Sequence, residues 1–258
     1  MDRHRLARYL CVAPCIFIAA SANAHVKWFA PFDTRTQPLL PANVADDNFI
    51  TLSLILPAIL FVAYALDRRI DRSRFIVPVE QYFASVGDRL PEMLRIAVAI
   101  FFGALWATGG IILTPELQTA SPLIPWLQFF IALSTMFRRT LFFTGVGILG
   151  LYGYALSQYG AFHLFDYPIF IGIAIYLMLT GINHPLLLQW RMPVLFAAVG
   201  TTLMWAAIEK FCYPQWTFPL LEDKPQITFG INHSLYMCFA GFAEFTLAFL
   251  LISSTAFV

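Results

Sequence analysis

Seven long apolar stretches dominate this chain, at about 49–66, 92–113, 123–137, 140–158, 168–189, 191–211 and from about 234 to the C-terminus. They constrain the fold severely, because a backbone surrounded by hydrocarbon must satisfy its own hydrogen bonds, and only helices or closed barrels do so. A barrel strand would alternate apolar and polar residues, and none of these stretches does. The prediction is all-α: a polytopic transmembrane helix bundle of about seven spans, placed after a signal peptide. Composition agrees. Of 258 residues, 59% are hydrophobic and 12% charged, with mean hydropathy +0.71, against about 25% charged in a soluble domain. The lipid bilayer is the expected partner. A net charge of +1 with no basic stripe argues against nucleic acid. Four cysteines without a CxxC spacing argue against a zinc knuckle or a thioredoxin-like motif.

Ahead of the spans, Arg3, Arg5 and Arg8 precede a short apolar run, Tyr9–Ala20, and then Ala22-Asn23-Ala24. A basic start, a short apolar core and an A-x-A site describe a secretory signal peptide over 1–24. About 12 apolar residues make only ~18 Å of helix, short of the ~30 Å hydrocarbon core. Residues 25–48 are then an exported segment, and 49–66 the first span. The loop 67–91, with "DRRIDRSR", is basic, as are the short links holding Arg138-Arg139 and Arg191. These fall on the inner side if residue 25 is outside, which is the positive-inside bias. The expected location is the bacterial inner membrane, with the mature N-terminus periplasmic.

Two helices echo each other. One begins near Arg95, carries Trp106-Ala107 and reaches Pro115; the other begins at Arg191, carries Trp205-Ala206 and reaches Pro214. The residues "RMPVLFAAVGTTLMWAAIEKFCYP" and "CFAGFAEFTLAFLL" resemble the DoxX-like family of four-helix bacterial membrane proteins. "LRIAVAIFFGALWATGGIILTPEL" is similar to an earlier copy of the same pattern. The resemblance covers about 92–258 and implies a repeat of a four-helix unit whose second copy is incomplete. It also implies a membrane subunit, some of whose relatives are tied to quinone-linked oxidation of sulfur compounds.

Several residues could carry chemistry. Glu244, in "GFAEF", falls about ten residues, or ~15 Å, into the last span. A carboxyl there is costly and faces the bundle interior by rule; it is read as a proton-carrying or quinone-facing group, with a structural carboxyl as the rival reading. Glu209 and Lys210 lie near the outer end of their helix, where Lys210 can snorkel to the interface. Glu209 shares a face with Trp205. Gln128, inside a span, is the expected polar partner of Glu244, and Gln128 and Trp205 are the candidates to touch a cofactor. His25, His163 and His233 all fall on the outer side. Imidazole suits copper or zinc, and a mature chain starting at His25 would add a free amine to the ring. Quinone and copper are thus the two cofactors to consider. Cys212 and Cys238 could pair or stay free. The "GINH" at 181–184 and 230–233 reads as a chance echo, with Asn232 or Ser234 capping a helix.

Three functions compete: a subunit of a quinone-linked oxidoreductase, a non-enzymatic transport or periplasmic metal-handling protein, and an assembly subunit docking other membrane or periplasmic proteins through 25–48 and 67–91. Export is directly testable. The purified protein should have the intact mass of a chain starting at His25, and an impermeant thiol reagent should label a cysteine placed at position 163 but not one at position 71 in intact spheroplasts. Retention of Met1–Ala24, or the reverse labelling, would remove the outer-side reading of the histidines.

Overall fold

The computed structural model describes residues 35–70 and 76–256. The predicted signal peptide and His25 lie outside them. Regular structure among the described residues is helical, apart from one isolated antiparallel bridge between Ile111 and Gln118. Seven main helices follow one another: α1 Asp47–Ile70, α2 Ile76–Thr108, α3 Leu123–Ser134, α4 Leu141–Leu164, α5 Pro168–Ile182, α6 Arg191–Cys212 and α7 His233–Ala256. Each takes the place of one predicted apolar stretch. Four segments are long and apolar enough to cross a membrane: Arg89–Thr108, Arg138–Leu164, Pro185–Cys212 and His233–Ser253. The apolar parts Asp47–Val62, Leu123–Ser134 and Pro168–Ile182 are shorter, and the 12 residues of α3 reach only ~18 Å.

Helix ends differ from the sequence-based bounds in three places. The stretch 92–113 is helical only as far as Thr108, because Gly109 and Gly110 both adopt φ +69°, a left-handed conformation that ends a helix without a Cβ clash. The supposed loop 67–91 is largely helical: α1 runs to Ile70 and α2 already starts at Ile76, with Pro91 inside it. The stretch 168–189 stops at Ile182, where Asn183 takes φ 53° and returns its N–H to the Leu179 carbonyl. Pro168 opens α5, where its missing N–H costs nothing.

The chain divides into two compact units, one made of residues up to Gly87 with Leu203–Leu247, the other beginning with Asp88–Thr202. In the second, Phe102, Ile131, Leu141, Ile148, Leu151 and Leu177 are buried in one core. Helices α4 and α5 approach closely: a Cβ on Gly145 would strike Met178 Cγ and the Ala174 carbonyl oxygen, and one on Gly181 would lie 2.7 Å from the Phe142 nitrogen. Small residues let apolar helices gain dispersion contacts in lipid, where no hydrophobic force drives them together. Arg95 ties α2 to the end of α3, its guanidinium donating to the carbonyls of Thr135 (3.0 and 2.9 Å) and Met136 (2.8 Å). A helix C-terminus leaves such carbonyls without partners and favours a cation.

Residues 109–122 fold back as an ordered loop whose apolar side chains Ile112, Leu113 and Leu117 are fully buried. Gln128, itself buried, donates from Nε2 to the carbonyls of Ile111 (2.6 Å) and Ile112 (2.9 Å). Tyr159 Oη accepts from the Gln118 N–H and donates to the Gln118 carbonyl, both at 2.8 Å. Helix α4 bends at Gly160 (φ 80°, ψ 166°), a conformation open to glycine.

In the other unit, Asp46 Oδ1 accepts the Phe49 N–H at 2.8 Å at the start of α1. The Leu39 N–H caps the Cys212 carbonyl at the end of α6, 2.8 Å. Phe49, Phe211 and Phe242 bring α1, α6 and α7 together, with ring centroids 4.9–5.2 Å apart. Asn232 Oδ1 accepts from the Ser234 N–H at 2.9 Å and caps α7 as expected. The two copies of "GINH" therefore do opposite jobs, one ending α5 and one starting α7.

The tight α4–α5 contact makes a sharp test. Gly145→Leu should lower the detergent-solubilised protein's stability by about 1–3 kcal/mol, since its side chain meets backbone that cannot yield. Gly150→Ala, inside the same helix with open space around its Cβ, should leave stability unchanged or raise it by up to about 1 kcal/mol. Thermal unfolding of both checks the contrast.

Candidate functional site

Charges are scarce in the apolar helices, and two of them meet. Lys210 Nζ lies 2.7 Å from Glu244 Oε2, with side-chain exposures of 20% and 28%. Glu244 sits eleven residues into α7, about 16 Å along the axis. Lys210 is in the last turn of α6, where a cation is favoured by the helix dipole. The meeting depends on close helix packing. A Cβ on Gly241 of α7 would come within 2.6 Å of the Phe211 ring, so only glycine leaves room for the aromatic residue beside Lys210. The Phe49–Phe211–Phe242 cluster flanks the pair on both helices and fixes their approach.

One turn back on α6, Trp205 Nε1 donates to Glu209 Oε1 at 3.0 Å. The i, i+4 spacing puts the two on one helix face, which was the sequence-based reading. Chemically, the arrangement offers a carboxylate that can take a proton, an ammonium to balance its charge, a second carboxylate and an indole that can donate a hydrogen bond. All lie within the last two turns of α6 and the middle of α7.

Other expectations fare differently. Lys210 does not snorkel away from the protein; it turns to Glu244. Glu244 is ion-paired to α6, an arrangement common to both of its readings. Its expected partner, Gln128, instead holds the carbonyls of Ile111 and Ile112. His163 stands in the last turn of α4 with its ring 5.4 Å from that of Tyr159. His233 is the first residue of α7, 6.4 Å from the Phe218 ring. Among the described residues no group of three or more His, Cys, Asp or Glu side chains is placed to hold a metal ion. Cys212 and Cys238 are free thiols rather than a disulfide.

Sequence reasoning missed the phenylalanine cluster and the Lys210–Glu244 pairing. A signal for the pairing was present, since opposite charges lodged in apolar helices tend to find each other; their separation of 34 residues hid it. The two-copy echo also weakens. Trp106 lies two residues from the end of α2 and Trp205 seven from the end of α6, so equal Trp-to-Pro spacings mark different places on the two helices. Comparison with protein-family models, with curated proteins and with solved structures finds no match.

Partial burial places the ion pair between the ~1 kcal/mol ceiling of exposed pairs and the ~3 kcal/mol cost of breaking a buried one. Lys210→Met alone should therefore destabilise by about 2 kcal/mol, leaving a carboxylate without its counter-charge. The double substitution Lys210→Met with Glu244→Leu should recover most of that loss. Equal, additive losses in thermal unfolding would show that the two side chains do not depend on each other.

Proposed function

We propose that this chain is a multi-pass protein of the bacterial inner membrane and a subunit of a quinone-linked redox system, with Glu244 as its proton-exchanging carboxyl. The observation that carries the reading is the Lys210–Glu244 pair, 2.7 Å apart on two helices of membrane-spanning length and apolarity. A lipid-facing helix retains charge at a cost, and retained charge marks a proton or ligand path by default. Further support comes from the resemblance of "RMPVLFAAVGTTLMWAAIEKFCYP" to the DoxX-like family, and from the aromatic side chains beside the pair, which suit a flat quinone ring.

In this reading the ring of a quinol lies against α6 and α7 near the pair. Glu244 accepts one of the two hydroxyl protons as the quinol gives up two electrons, the second proton leaving to water, Lys210 holds the carboxylate in place between turnovers, and Trp205 keeps Glu209 oriented. The electrons pass to a partner subunit. The outward direction of proton release rests on the predicted orientation, which the thiol-labelling comparison checks.

Purification from native membranes, solvent extraction and chromatography should recover quinone with the protein. Glu244→Gln keeps the shape but removes the proton-accepting charge; losing one charge-assisted hydrogen bond should reduce bound quinone roughly tenfold. Quinone content unchanged in Glu244→Gln, or absent from the native protein, would sink the proposal.

A further inference from the structure

A trough of about 450 Å³ opens on the outer surface of α3 and α4. Leu127, Phe130, Leu133, Phe137, Phe143 and Gly147 line it. Phe130, Phe137 and Phe143 remain 59–66% exposed, so the trough faces the surroundings of the helices rather than the core. Its polar atoms are already engaged. Ser134 Oγ and Thr144 Oγ1 bond each other at 2.7 Å, and Thr140 Oγ1 donates to the Ser134 and Phe137 carbonyls. A polar small molecule would find no group to bind along this floor; a hydrocarbon chain would.

Two arginines sit next to the trough in the chain. Phe137 and Thr140 both line it, and the chain between them is Arg138-Arg139, a single 3-10 turn. Arg138 reaches Glu92 at 3.7 Å and stays well exposed. Arg139 is exposed and has no ion-pair partner among the described residues. Beside the apolar trough, between two residues that line it, the chain thus carries an exposed guanidinium with no ion-pair partner among the described residues, the group best shaped to take a phosphate through two parallel hydrogen bonds.

We propose that this trough binds one anionic phospholipid, with an acyl chain against Phe130, Leu133 and Phe143 and the phosphate at Arg139. Charge complementarity selects the occupant. Zwitterionic lipid would gain the same apolar contact but less at the arginines, and basic sites beside apolar helices on the cytoplasmic side favour anionic headgroups. The predicted orientation puts Arg138-Arg139 on that side. The trough shares no lining residue with the Lys210–Glu244 pair and stands whether or not quinone binds at that pair.

The test uses the full-length protein in mild detergent, offered phosphatidylglycerol and phosphatidylcholine of identical acyl chains in equal amounts, with native mass spectrometry counting bound lipid. One phosphatidylglycerol per chain should be retained, in about fivefold preference over phosphatidylcholine, as one arginine near an anionic surface provides. Arg139→Gln should abolish the preference and Arg139→Lys should keep most of it. Excess inorganic phosphate should leave it unchanged, because the acyl chain supplies the remainder of the binding. Equal retention of the two lipids, a preference that survives Arg139→Gln, displacement by inorganic phosphate, or a bound quinone or second chain in place of the lipid would each overturn the assignment.

Discussion

Hydrocarbon offers a polar group no water, so every polar group carried into it must find its partner within the protein. Much of this structure follows that requirement, with the buried Gln128 Oε1 and Tyr176 hydroxyl as exceptions. Threonines in the apolar helices turn their hydroxyls back to carbonyls four residues earlier, as in Thr108 to Ala104, Thr180 to Tyr176, Thr201 to Ala197 and Thr246 to Phe242. The longer polar side chains cannot do this and instead join elements. Arg95 closes the end of α3, Gln128 holds the loop after α2, and Lys210 finds Glu244. Where a soluble protein would leave these groups to solvent, here each becomes a cross-link.

Much of the fold was legible because hydropathy and helix rules are local. The existence of all seven helices follows from their apolar stretches, and Pro168 at the start of α5 and Asn232 at the start of α7 were readable as end signals. What hydropathy cannot separate is an apolar helix from an apolar loop. "IILT" after Gly109-Gly110 looked like more span, yet Ile112 and Leu113 are core residues of an irregular segment. The glycine pair was the visible stop signal, and the run of large apolar residues outweighed it. Likewise a charged stretch such as 67–91 reads as a loop by composition, although described residues on both sides of it are helical in spite of Pro91.

The candidate site was less legible, for a different reason. Its members were each conspicuous: Glu244 by depth, Lys210 and Glu209 by charge, Trp205 by its spacing from Glu209. Which of them meet depends on the rotation of α6 against α7, and that rotation is set by Phe211 packing over Gly241 together with Phe49 and Phe242. Aromatic residues are so common in this chain that nothing marked these as the determinants. The proposed quinone reading therefore draws on the pairing as much as on the resemblance, since the pairing puts a carboxylate and its counter-charge in one place.

The hold of Tyr159 on Gln118 has a consequence in time. Its hydroxyl engages both backbone groups of a residue 41 positions earlier in the chain. During synthesis at roughly 5–20 residues per second, the loop 109–122 emerges seconds before the side chain that completes it exists. Until Tyr159 follows, Gln118 lacks the hydroxyl that engages both its amide and its carbonyl, so the loop is completed only after α3 and most of α4 have been made. The loop is a latch that the chain closes on itself late, with a side chain made well after the loop.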